Sequence, residues 1–356
     1  MKNNFTVKIF NDIENPFLKR EWEHLQDSED VFPQMYYQWI TPWWKRSNSG
    51  KKLYIITVID NEQKLVAIAP FCIEKRFGIN ILQSIPVHFG DFYSFIVKDN
   101  NSSLINELLT HINSFKKWSY VKINLIRSNN LLHKKLNDNN YKEQHVENII
   151  EADFSNKSYD DYLMLLHRKV RGEYKRRLRK LEGLGKVEFI ISSNFDDYLT
   201  FEKNFRRIYE LRWKDIDTKL PEDKVYAYRK NALQFLSSKN KALFVLLKLN
   251  NELIAYRFGI LHQNKYHDYK LSFNTKYHKL GLGSIITGLL IKDLIARKIT
   301  TLDHGVGDYS YKNDWSPIGK KINMYNFHSY KKNPLAFFYF KFENEYKEKI
   351  KKLLKR

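Results

Sequence analysis

The amino-acid sequence predicts an α/β (α+β) protein that contains two domains in tandem. Its 356 residues are long for one hydrophobic core and sufficient for two. Segments with the periodicity of strands alternate with segments of helical periodicity along the chain. In both halves, paired strands are followed by a helix and another strand. This order permits two similar folds, although no exact sequence repeat is present.

The predicted strands are short runs rich in β-branched and aromatic residues. In chain order they cover residues 52–60, 64–75, 120–127, 186–192, 241–249, 252–262, 266–273 and 322–330. The predicted helices carry apolar residues three and four positions apart. They cover residues 15–25, 34–46, 103–117, 161–185, 195–214, 223–238 and 283–298.

The polar stretch "KKLNDNNYKEQHVEN" (134–148) is the most loop-like region near the middle of the chain. It puts the domain boundary close to Ile150. The predicted division is an N-terminal domain at residues 1–150, a C-terminal domain at residues 151–333 and a basic amphipathic helix at residues 334–356.

The composition favours a folded protein with anionic partners. Hydrophobic residues make up 43% of the chain, which excludes a disordered protein, and the net charge is +21. Phosphates, nucleic acid, acidic lipids and an anionic coenzyme all fit this charge. Cys72 is the only cysteine and lies in an apolar run, so it is predicted to be core. The eleven histidines show no metal-binding spacing, and we expect no metal.

The start "MKNNFTVKIF" lacks the apolar stretch of a signal peptide, and no run approaches the roughly 18 apolar residues of a membrane span. We therefore expect a cytoplasmic location. The tail from Pro334 opens with aromatic residues and closes with basic ones. It could pack on its own domain or lie on an anionic membrane surface, which would put the protein at the inner face of the membrane.

Two glycines precede an apolar helix in "HKLGLGSIITGLLIK", residues 278–292. Gly281 and Gly283 lack Cβ atoms, so the amides at the helix start could approach a diphosphate closely, and Ser284 could cap the first turn. An ordinary tight turn is the alternative. Ile286 stands where the dinucleotide-binding fingerprint has its third glycine, and no P-loop motif occurs. Nicotinamide enzymes and P-loop NTPases are therefore disfavoured.

The segments around these glycines resemble the acyl-CoA-binding core of the GNAT acyltransferase superfamily. Two adjacent strands at residues 251–274 precede the glycines, and "ITTLDHGVGDYSYKNDW" follows the helix. Within the superfamily the chain resembles the CelD/BcsL-type acetyltransferases of cellulose and envelope polysaccharide biosynthesis, which are related to Fem-type transferases. The resemblance covers about residues 20–330. Its most specific part is a closing signature formed by Asp303, Gly307, Tyr311, Lys312 and Trp315.

The resemblance implies two tandem GNAT-like domains, each a mixed, largely antiparallel sheet flanked by helices. It implies acetyl-CoA or another acyl-CoA as co-substrate, bound in the C-terminal domain only. The matching cofactor-binding segment consists of His278, Lys279, Leu280, Gly281, Leu282, Gly283 and Ser284. His278 stands where GNAT enzymes usually have Gln or Arg, and Gly281-Leu282-Gly283 replaces the common Ser-Pro-Gly.

Direct acyl transfer needs a base for the acceptor, a donor for the oxyanion and a proton for the leaving thiolate. We predict Asp303 or His304 as the base or a substrate anchor, although Asp303 could simply hydrogen-bond the glycine-rich turn. Tyr309 or Tyr311 is predicted to protonate the thiolate, as a tyrosine does in many GNAT enzymes, with aromatic packing as the alternative. Lys312 is predicted to pair with a substrate phosphate or carboxylate, or to be solvated.

A basic segment precedes the second domain. Eight of the thirteen residues in "RKVRGEYKRRLRK" (168–180) are basic, while Val170, Tyr174 and Leu178 recur every fourth position. This pattern predicts an amphipathic helix with a cationic outer face. Arg168 and Arg171 are candidate contacts to an anionic glycan, to CoA phosphates or to a lipid headgroup, and a solvated face is the alternative.

Three functions are compatible with these observations. The first is an acyl-CoA-dependent N- or O-acyltransferase, with acetyl transfer expected, that acts directly on a sugar, glycan or envelope polysaccharide precursor. The second is a Fem-like transferase that uses aminoacyl-tRNA, although the coiled-coil arm common in that group is not evident. The third is a non-enzymatic nucleic-acid-binding protein. It rests on charge alone, and no RNP-type motif or zinc finger supports it.

Overall fold

The structure is a computed structural model that describes residues 5–29, 31–85, 92–114, 116–213 and 223–346. Its strands, in chain order, are β1 Thr6–Phe10, β2 Lys51–Ile59, β3 Leu65–Arg76, β4 Ile79–Ser84, β5 Ile96–Val97, β6 Tyr120–Arg127, β7 Lys142–Asp153, β8 Val187–Ser192, β9 Ala242–Leu249, β10 Glu252–His262, β11 Lys265–Phe273, β12 Thr301–Val306 and β13 Gly319–Tyr330. Its α-helices are α1 Pro16–Ser28, α2 Tyr37–Ser47, α3 Ser102–Asn113, α4 Leu131–Asp138, α5 Tyr159–Leu165, α6 Arg168–Glu182, α7 Phe195–Trp213, α8 Asp223–Ser238, α9 Leu282–Ala296, α10 Ser310–Asp314 and α11 Pro334–Lys341.

The chain divides into two compact units. Unit 1 comprises Met1–Glu147 together with Asn323–Arg356, and unit 2 comprises Asn148–Ile322. The predicted assignment of residues 323–333 to the second domain differs from this division. The reason is that β13 pairs antiparallel with β6 of unit 1, a partner far away in the sequence that no local pattern indicates. Residues 347–356 of the predicted C-terminal helix lie outside the described residues.

In unit 1 the strand order is β1-β2-β3-β4-β6-β13, and β5 pairs with β3. These pairs are antiparallel except for β4 and β6, which are parallel. Apolar residues of the helices cover the sheet, among them Trp22 of α1 and Trp39 of α2, both fully buried. Cys72 of β3 is also buried, as predicted.

In unit 2 the strand order is β8-β9-β10-β11-β12-β7. These pairs are antiparallel except for β11 and β12, which are parallel. On one face of β10, the rings of Tyr256 and Phe258 contact Phe205 of α7, each at 4.8 Å. On the other face, Arg257 bonds Thr287 of α9. Because successive strand residues point to opposite faces, α7 and α9 cover opposite sides of this sheet.

The two units repeat one order of elements. In unit 1, α1 and α2 separate β1 from β2, and α3 connects the parallel pair β4 and β6. In unit 2, α7 and α8 separate β8 from β9, and α9 connects the parallel pair β11 and β12. The predicted fold class, two tandem mixed sheets that are largely antiparallel and flanked by helices, is confirmed.

The short elements β1, β4, β5, α4 and α10 have no counterpart among the predicted strands and helices. Two longer elements also differ from the sequence prediction. The single helix predicted at residues 161–185 is broken, because Leu166 and His167 have extended backbones and the His167 side chain caps α6 by accepting a bond from the Lys169 amide. The polar stretch predicted as a loop near residue 150 contains most of β7. This strand was missed because its first half is polar and only its end, from Ile149 onward, is buried.

Candidate active site

A wedge opens in unit 2 between β11 and β12, the parallel pair of its sheet. Their pairing extends only from Lys265 opposite Thr301 to His267 opposite Asp303. Beyond this point β11 continues to Phe273 and β12 continues to Val306, but the two strands no longer pair with each other. The strands thus separate, and side chains take up some of the backbone groups that a continuous ladder would use: Arg212 donates to the Leu271 carbonyl at 2.8 Å.

Helix α9 begins beside this wedge. Gly281 has φ +64°, a left-handed conformation that favours glycine, and it is the N-cap residue of α9. The amides of Ser284 and Ile285 donate to the Gly281 carbonyl. Among the described residues, no acceptor lies against the amides of Leu282 and Gly283. These two amides are therefore the donors that the positive end of the helix offers to an anion.

The residues of the predicted cofactor segment, 278–284, differ in the burial of their side chains. The side chains of Leu280 and Leu282 are buried in the core of unit 2, so only their backbone could contact a ligand. His278 and Lys279 are exposed, and Ser284 accepts a hydrogen bond from Trp315 Nε1 at 3.3 Å. The structure thus brings the glycines and the helix amides together, while Ser284 anchors Trp315 rather than capping its own helix.

Arg177 of α6 lies over this helix start, a contact that the sequence analysis did not single out. A Cβ atom on Gly281 would be 2.7 Å from Nη1 of Arg177 and 2.9 Å from its Cδ. The guanidinium also pairs with Glu173 one turn earlier at 2.5 Å, and its side chain is 31% exposed. A cation therefore stands next to the free amides of α9. In the sequence, Arg177 is one of several basic residues in the segment 168–180. The helical pattern does not identify which of its arginines faces the glycines.

The predicted contacts Arg168 and Arg171 lie elsewhere on α6. Arg168 is exposed at the first turn of the helix. Arg171 donates to the carbonyls of Leu163 and Met164 and so closes the end of α5. At about 1.5 Å per residue, both stand roughly 9–14 Å along the axis from Arg177. The structure does not bring them to the glycine cradle.

A buried ion pair fixes α9 to the sheet. Arg257 of β10 is fully buried and binds Asp268 of β11 through two hydrogen bonds of 2.7 and 3.0 Å. Arg257 also donates to Thr287 Oγ1 at 2.9 Å, and Thr287 donates to the Gly283 carbonyl at 2.7 Å. This chain of bonds holds the first turn of α9 against the edge of the wedge. Arg257 stands inside the apolar run of β10, which is a signal for a buried ion pair, but its partners Asp268 and Thr287 cannot be identified from the sequence alone.

Asp303 is fully buried, and both of its oxygens accept hydrogen bonds. His267 Nδ1 lies 2.9 Å from Oδ2, and the Gly305 amide donates to Oδ1 at 2.7 Å. This geometry is that of the alternative foreseen for Asp303, in which it holds the glycine-rich turn. Gly305 has φ +70°, so the turn depends on this support.

His304, the other predicted base, is 3% exposed where the wedge opens. Among the described residues, neither of its ring nitrogens has a hydrogen-bond partner. Burial lowers the pKa of His304 well below its usual value, and the positive charges of Arg257 and Lys312 lower it further. The imidazole is therefore neutral at physiological pH. A buried polar group without a partner calls for an explanation, and a ligand in the wedge would supply one.

The buried His304 leads to a prediction about stability. In the unfolded chain a histidine protonates near pH 6.5, so below this pH the unfolded state binds more protons than the folded state. We expect the free energy of unfolding to fall as the pH is lowered from about 6.5, by up to about 1.4 kcal/mol per pH unit from this one group. Denaturant unfolding between about pH 5 and 6.5 should therefore show a shallower slope for His304→Gln than for the wild type.

The control for this experiment is His278→Gln, which removes an exposed histidine from the same unit. It should keep the wild-type slope. Burial lowers the pKa of His328 in unit 1 to about 3, and this residue contributes equally in all three proteins. Equal slopes for wild type and His304→Gln would contradict the assignment.

Three predicted residues lie on or next to α10. Lys312 is buried and donates to the carbonyls of Gly305 and Val306 at 2.9 and 2.8 Å, so its ammonium closes the end of β12. Tyr309 and Tyr311 stack at 6.2 Å and are 58% and 37% exposed. Burial and the nearby Asp268 charge raise the pKa of Tyr311, while Arg257 and Arg212 oppose the rise. Its hydroxyl is therefore protonated at neutral pH.

Three further features were considered: metal-binding side chains, membrane-spanning helices and a cysteine nucleophile. Within the described ranges, no set of three His, Cys, Asp or Glu side chains is arranged to hold a metal ion. Of the helices in those same ranges, none has both the length and the apolar character needed to cross a bilayer. Burial raises the pKa of the Cys72 thiol to about 12, which makes it a poor nucleophile.

Comparisons with known proteins agree with this geometry. Residues 168–313 match the family described as "Acetyltransferase (GNAT) domain". No curated protein matches the sequence. Three of the similar solved structures are FemX, L-PGS from Bacillus licheniformis and a tandem GNAT protein from the clavulanic acid biosynthesis pathway.

The structural similarities extend over most of each chain. FemX has 12% identity and a TM-score of 0.63, over 90% of this chain and 98% of its own. L-PGS has 13% identity and a TM-score of 0.58, over 88% and 92%. The tandem GNAT protein has 7% identity and a TM-score of 0.50, over 92% and 98%. At these identities the likeness shows the fold alone, and the chain has the GNAT-type acyltransferase fold.

Proposed function

We propose that unit 2 is an acyltransferase that takes its acyl group from acyl-CoA, with acetyl-CoA as the first candidate. The observation that carries this proposal is the start of α9: a left-handed glycine cap, two amides without acceptors among the described residues, and the guanidinium of Arg177 above them. Helix dipole, amides and cation all favour a diphosphate at this point. The wedge between β11 and β12 leads from it toward His304 and α10.

Unit 1 offers a matched comparison, because α3 occupies the same place in its order of elements. Asn101 caps α3, and its side chain accepts from the amide of Ser103 at 2.8 Å. The Asp99 amide donates to the Glu29 carboxylate, which adds negative charge close to this end. A helix start that is already capped and has a carboxylate close by does not favour an anion. This supports the proposal that only unit 2 binds the donor.

The transfer itself needs no covalent intermediate on the protein. The acceptor's nitrogen or oxygen attacks the thioester carbonyl carbon and forms the new acyl bond, and the carbon–sulfur bond breaks. The acceptor loses one proton and the CoA thiolate gains one, so no net proton is released. We assign proton acceptance to the neutral imidazole of His304 and proton donation to the Tyr311 hydroxyl, with Tyr309 as its neighbour. Because its lowered pKa makes His304 a weak base, it takes the proton after the attack, when the bond to the carbonyl carbon has made the acceptor's N–H or O–H acidic. Asp303 acts by holding the turn through Gly305. Lys312, at the end of β12, supplies positive charge near the developing oxyanion.

The acceptor is proposed from the sequence resemblance to CelD/BcsL-type acetyltransferases. It would be an amine or hydroxyl of a sugar, glycan or envelope polysaccharide precursor, and an anionic acceptor would suit the charged outer face of α6. Arg168 is the exposed residue of the predicted pair that could take part, because Arg171 is occupied by the carbonyls of α5.

Isothermal titration of the full chain tests the donor. Acetyl-CoA, longer acyl-CoAs and free CoA should all bind, because the cradle contacts the diphosphate and not the acyl group. Failure of every one of them to bind would remove the proposal. Binding of acyl-CoA alone, without free CoA, would mean that the acyl group and not α9 carries the recognition.

Arg177→Ala should weaken CoA binding by about tenfold. A hydrogen bond to a charged group contributes about 1.5–3 kcal/mol, and the partial exposure of Arg177 puts its share at the lower end. The matched control is Arg176→Ala, which removes the same charge from the adjacent, exposed position of α6. Equal losses in both variants, measured by titration at one salt concentration, would show that only the overall charge of the helix matters.

A second donor has its own support. Fem-type transferases, which the chain resembles, use aminoacyl-tRNA, and FemX is among the similar structures. The net charge of +21 and the basic face of α6 suit a tRNA. Binding of aminoacyl-tRNA that weakens steeply with salt, together with no binding of CoA, would favour this alternative over the first.

A further inference from the structure

We propose that unit 1 docks on an anionic phospholipid bilayer through a groove lined with lysines and an adjoining apolar rim. The groove measures about 670 Å³, and its lining includes Lys52, Lys75, Lys116, Lys117 and Lys331. All five side chains are exposed. No Asp or Glu is among the lining residues. Such a concentration of unopposed positive charge attracts phosphate headgroups.

The apolar rim consists of Phe77, Leu335, Phe337, Phe338 and Tyr346. Among the described residues of unit 1, the exposed large apolar side chains are confined to these five. Helix α11 buries Ala336 and Tyr339 but leaves Leu335 and Phe338, one turn apart, 57% and 58% exposed. A helix that is apolar on its outer as well as its inner face is typical of an interaction site, where another surface buries the outer face.

The lysine groove and the apolar rim adjoin each other at the end of β3 and before the start of α11. Lys75 and Gly78 line the groove, and Phe77 stands between them in the turn from β3 to β4. The Phe77 ring lies 5.3 Å from that of Phe342 and 6.0 Å from that of Tyr339. Lys331 also lines the groove, and it comes three residues before α11. The lysines and the apolar side chains thus adjoin at two places, the turn from β3 to β4 and the segment from Lys331 to α11.

The carboxylates near this surface do not cancel its charge. Glu74 pairs with Arg76 at 2.8 Å, and Glu343 pairs with Lys122 at 2.9 Å. Glu345 pairs with Lys341 at 2.9 Å. Each acid is therefore matched by a cation outside the groove. The five groove lysines remain as an excess.

A bilayer fits this combination better than a nucleic acid does. Lysine ammonium groups on flexible stems reach headgroup phosphates, while Leu and Phe side chains enter the boundary between headgroups and acyl chains. Each lysine near an anionic surface contributes about 1 kcal/mol. The contact requires no donor in unit 2 and is independent of the proposed acyl transfer.

Vesicle co-sedimentation of the full chain tests the proposal. The wild type should bind to vesicles of phosphatidylcholine mixed with phosphatidylglycerol. It should bind much more weakly to vesicles of phosphatidylcholine alone. The double variant Lys75→Glu, Lys331→Glu should lose on the order of thirtyfold or more in partition coefficient. Phe77→Ser with Phe338→Ser should weaken binding to the mixed vesicles while retaining its salt dependence.

The matched control is Lys19→Glu with Lys134→Glu, which makes the same change in net charge at exposed positions of α1 and α4 outside the groove. It should bind vesicles nearly as the wild type does. All variants should keep the wild-type melting temperature and CoA affinity, which separates this test from that of the donor site. Equal binding by groove and control variants, or tRNA binding that the groove variant loses while vesicles never bind, would overturn the proposal.

Discussion

Gly281→Glu is expected to lower the affinity for CoA by at least about a hundredfold, or about 2.7 kcal/mol. A carboxylate at the N-cap of α9 would stand where the diphosphate is proposed to bind. Two like charges about 4 Å apart repel by about 4 kcal/mol at an effective dielectric constant of about 20. The new Cβ atom would also displace Arg177, which approaches it to 2.7 Å. Titration with free CoA measures the loss.

The control for this change must share its backbone strain. Gly50 has φ +70°, close to the φ of +64° at Gly281, and nothing lies within 4 Å of a Cβ atom there. Gly50→Glu therefore introduces the same side chain in the same conformation, but in unit 1. It should bind CoA like the wild type. If Gly281→Glu also binds CoA normally, while both variants remain folded, the start of α9 is not the donor site.

Arg257→Met is expected to destabilise the protein by about 3–5 kcal/mol. It removes one partner from a fully buried ion pair and leaves the Asp268 carboxylate without its two hydrogen bonds. The Thr287 hydroxyl loses its link to the sheet as well. Chemical denaturation, followed by fluorescence, measures the change in the free energy of unfolding.

An exposed ion pair gives the comparison for Arg257. Arg206 Nε binds Glu210 at 3.1 Å, with both side chains more than two-fifths exposed. Exposed pairs contribute about 0–1 kcal/mol, so Arg206→Met should change stability by less than about 1 kcal/mol. A similarly small effect of Arg257→Met would mean that the buried network does not hold α9 to the sheet.

The strands and helices of the fold were largely predictable, because most of them bury a regular apolar pattern. β6 and β10 have the bounds that periodicity gave, and α8 has the predicted residues. β7 could not be recognised, since residues 142–147 are mostly polar. The break between α5 and α6 was also hidden, because an N-cap histidine at His167 is not a usual cap residue.

The candidate site was less predictable, because its partners come from distant parts of the chain. The glycines identified the start of α9, since their signal is local. Arg177, which covers Gly281, comes from a helix about a hundred residues earlier, and the helix pattern alone does not select it. Asp303 and His304 are neighbours in sequence on one strand, so they point to opposite faces. Only the structure separates the aspartate that holds a turn from the histidine that has no described partner.

The proposed function requires that the amides at the start of α9 bind the diphosphate of the acyl donor. A crystal structure of the full chain soaked with acetyl-CoA measures this directly. The predicted result is a diphosphate within hydrogen-bond distance of the Leu282 and Gly283 amides and near the Arg177 guanidinium, with the thioester in the wedge between β11 and β12. A coenzyme bound at α3 or in the lysine groove of unit 1, with the start of α9 empty, would contradict the account.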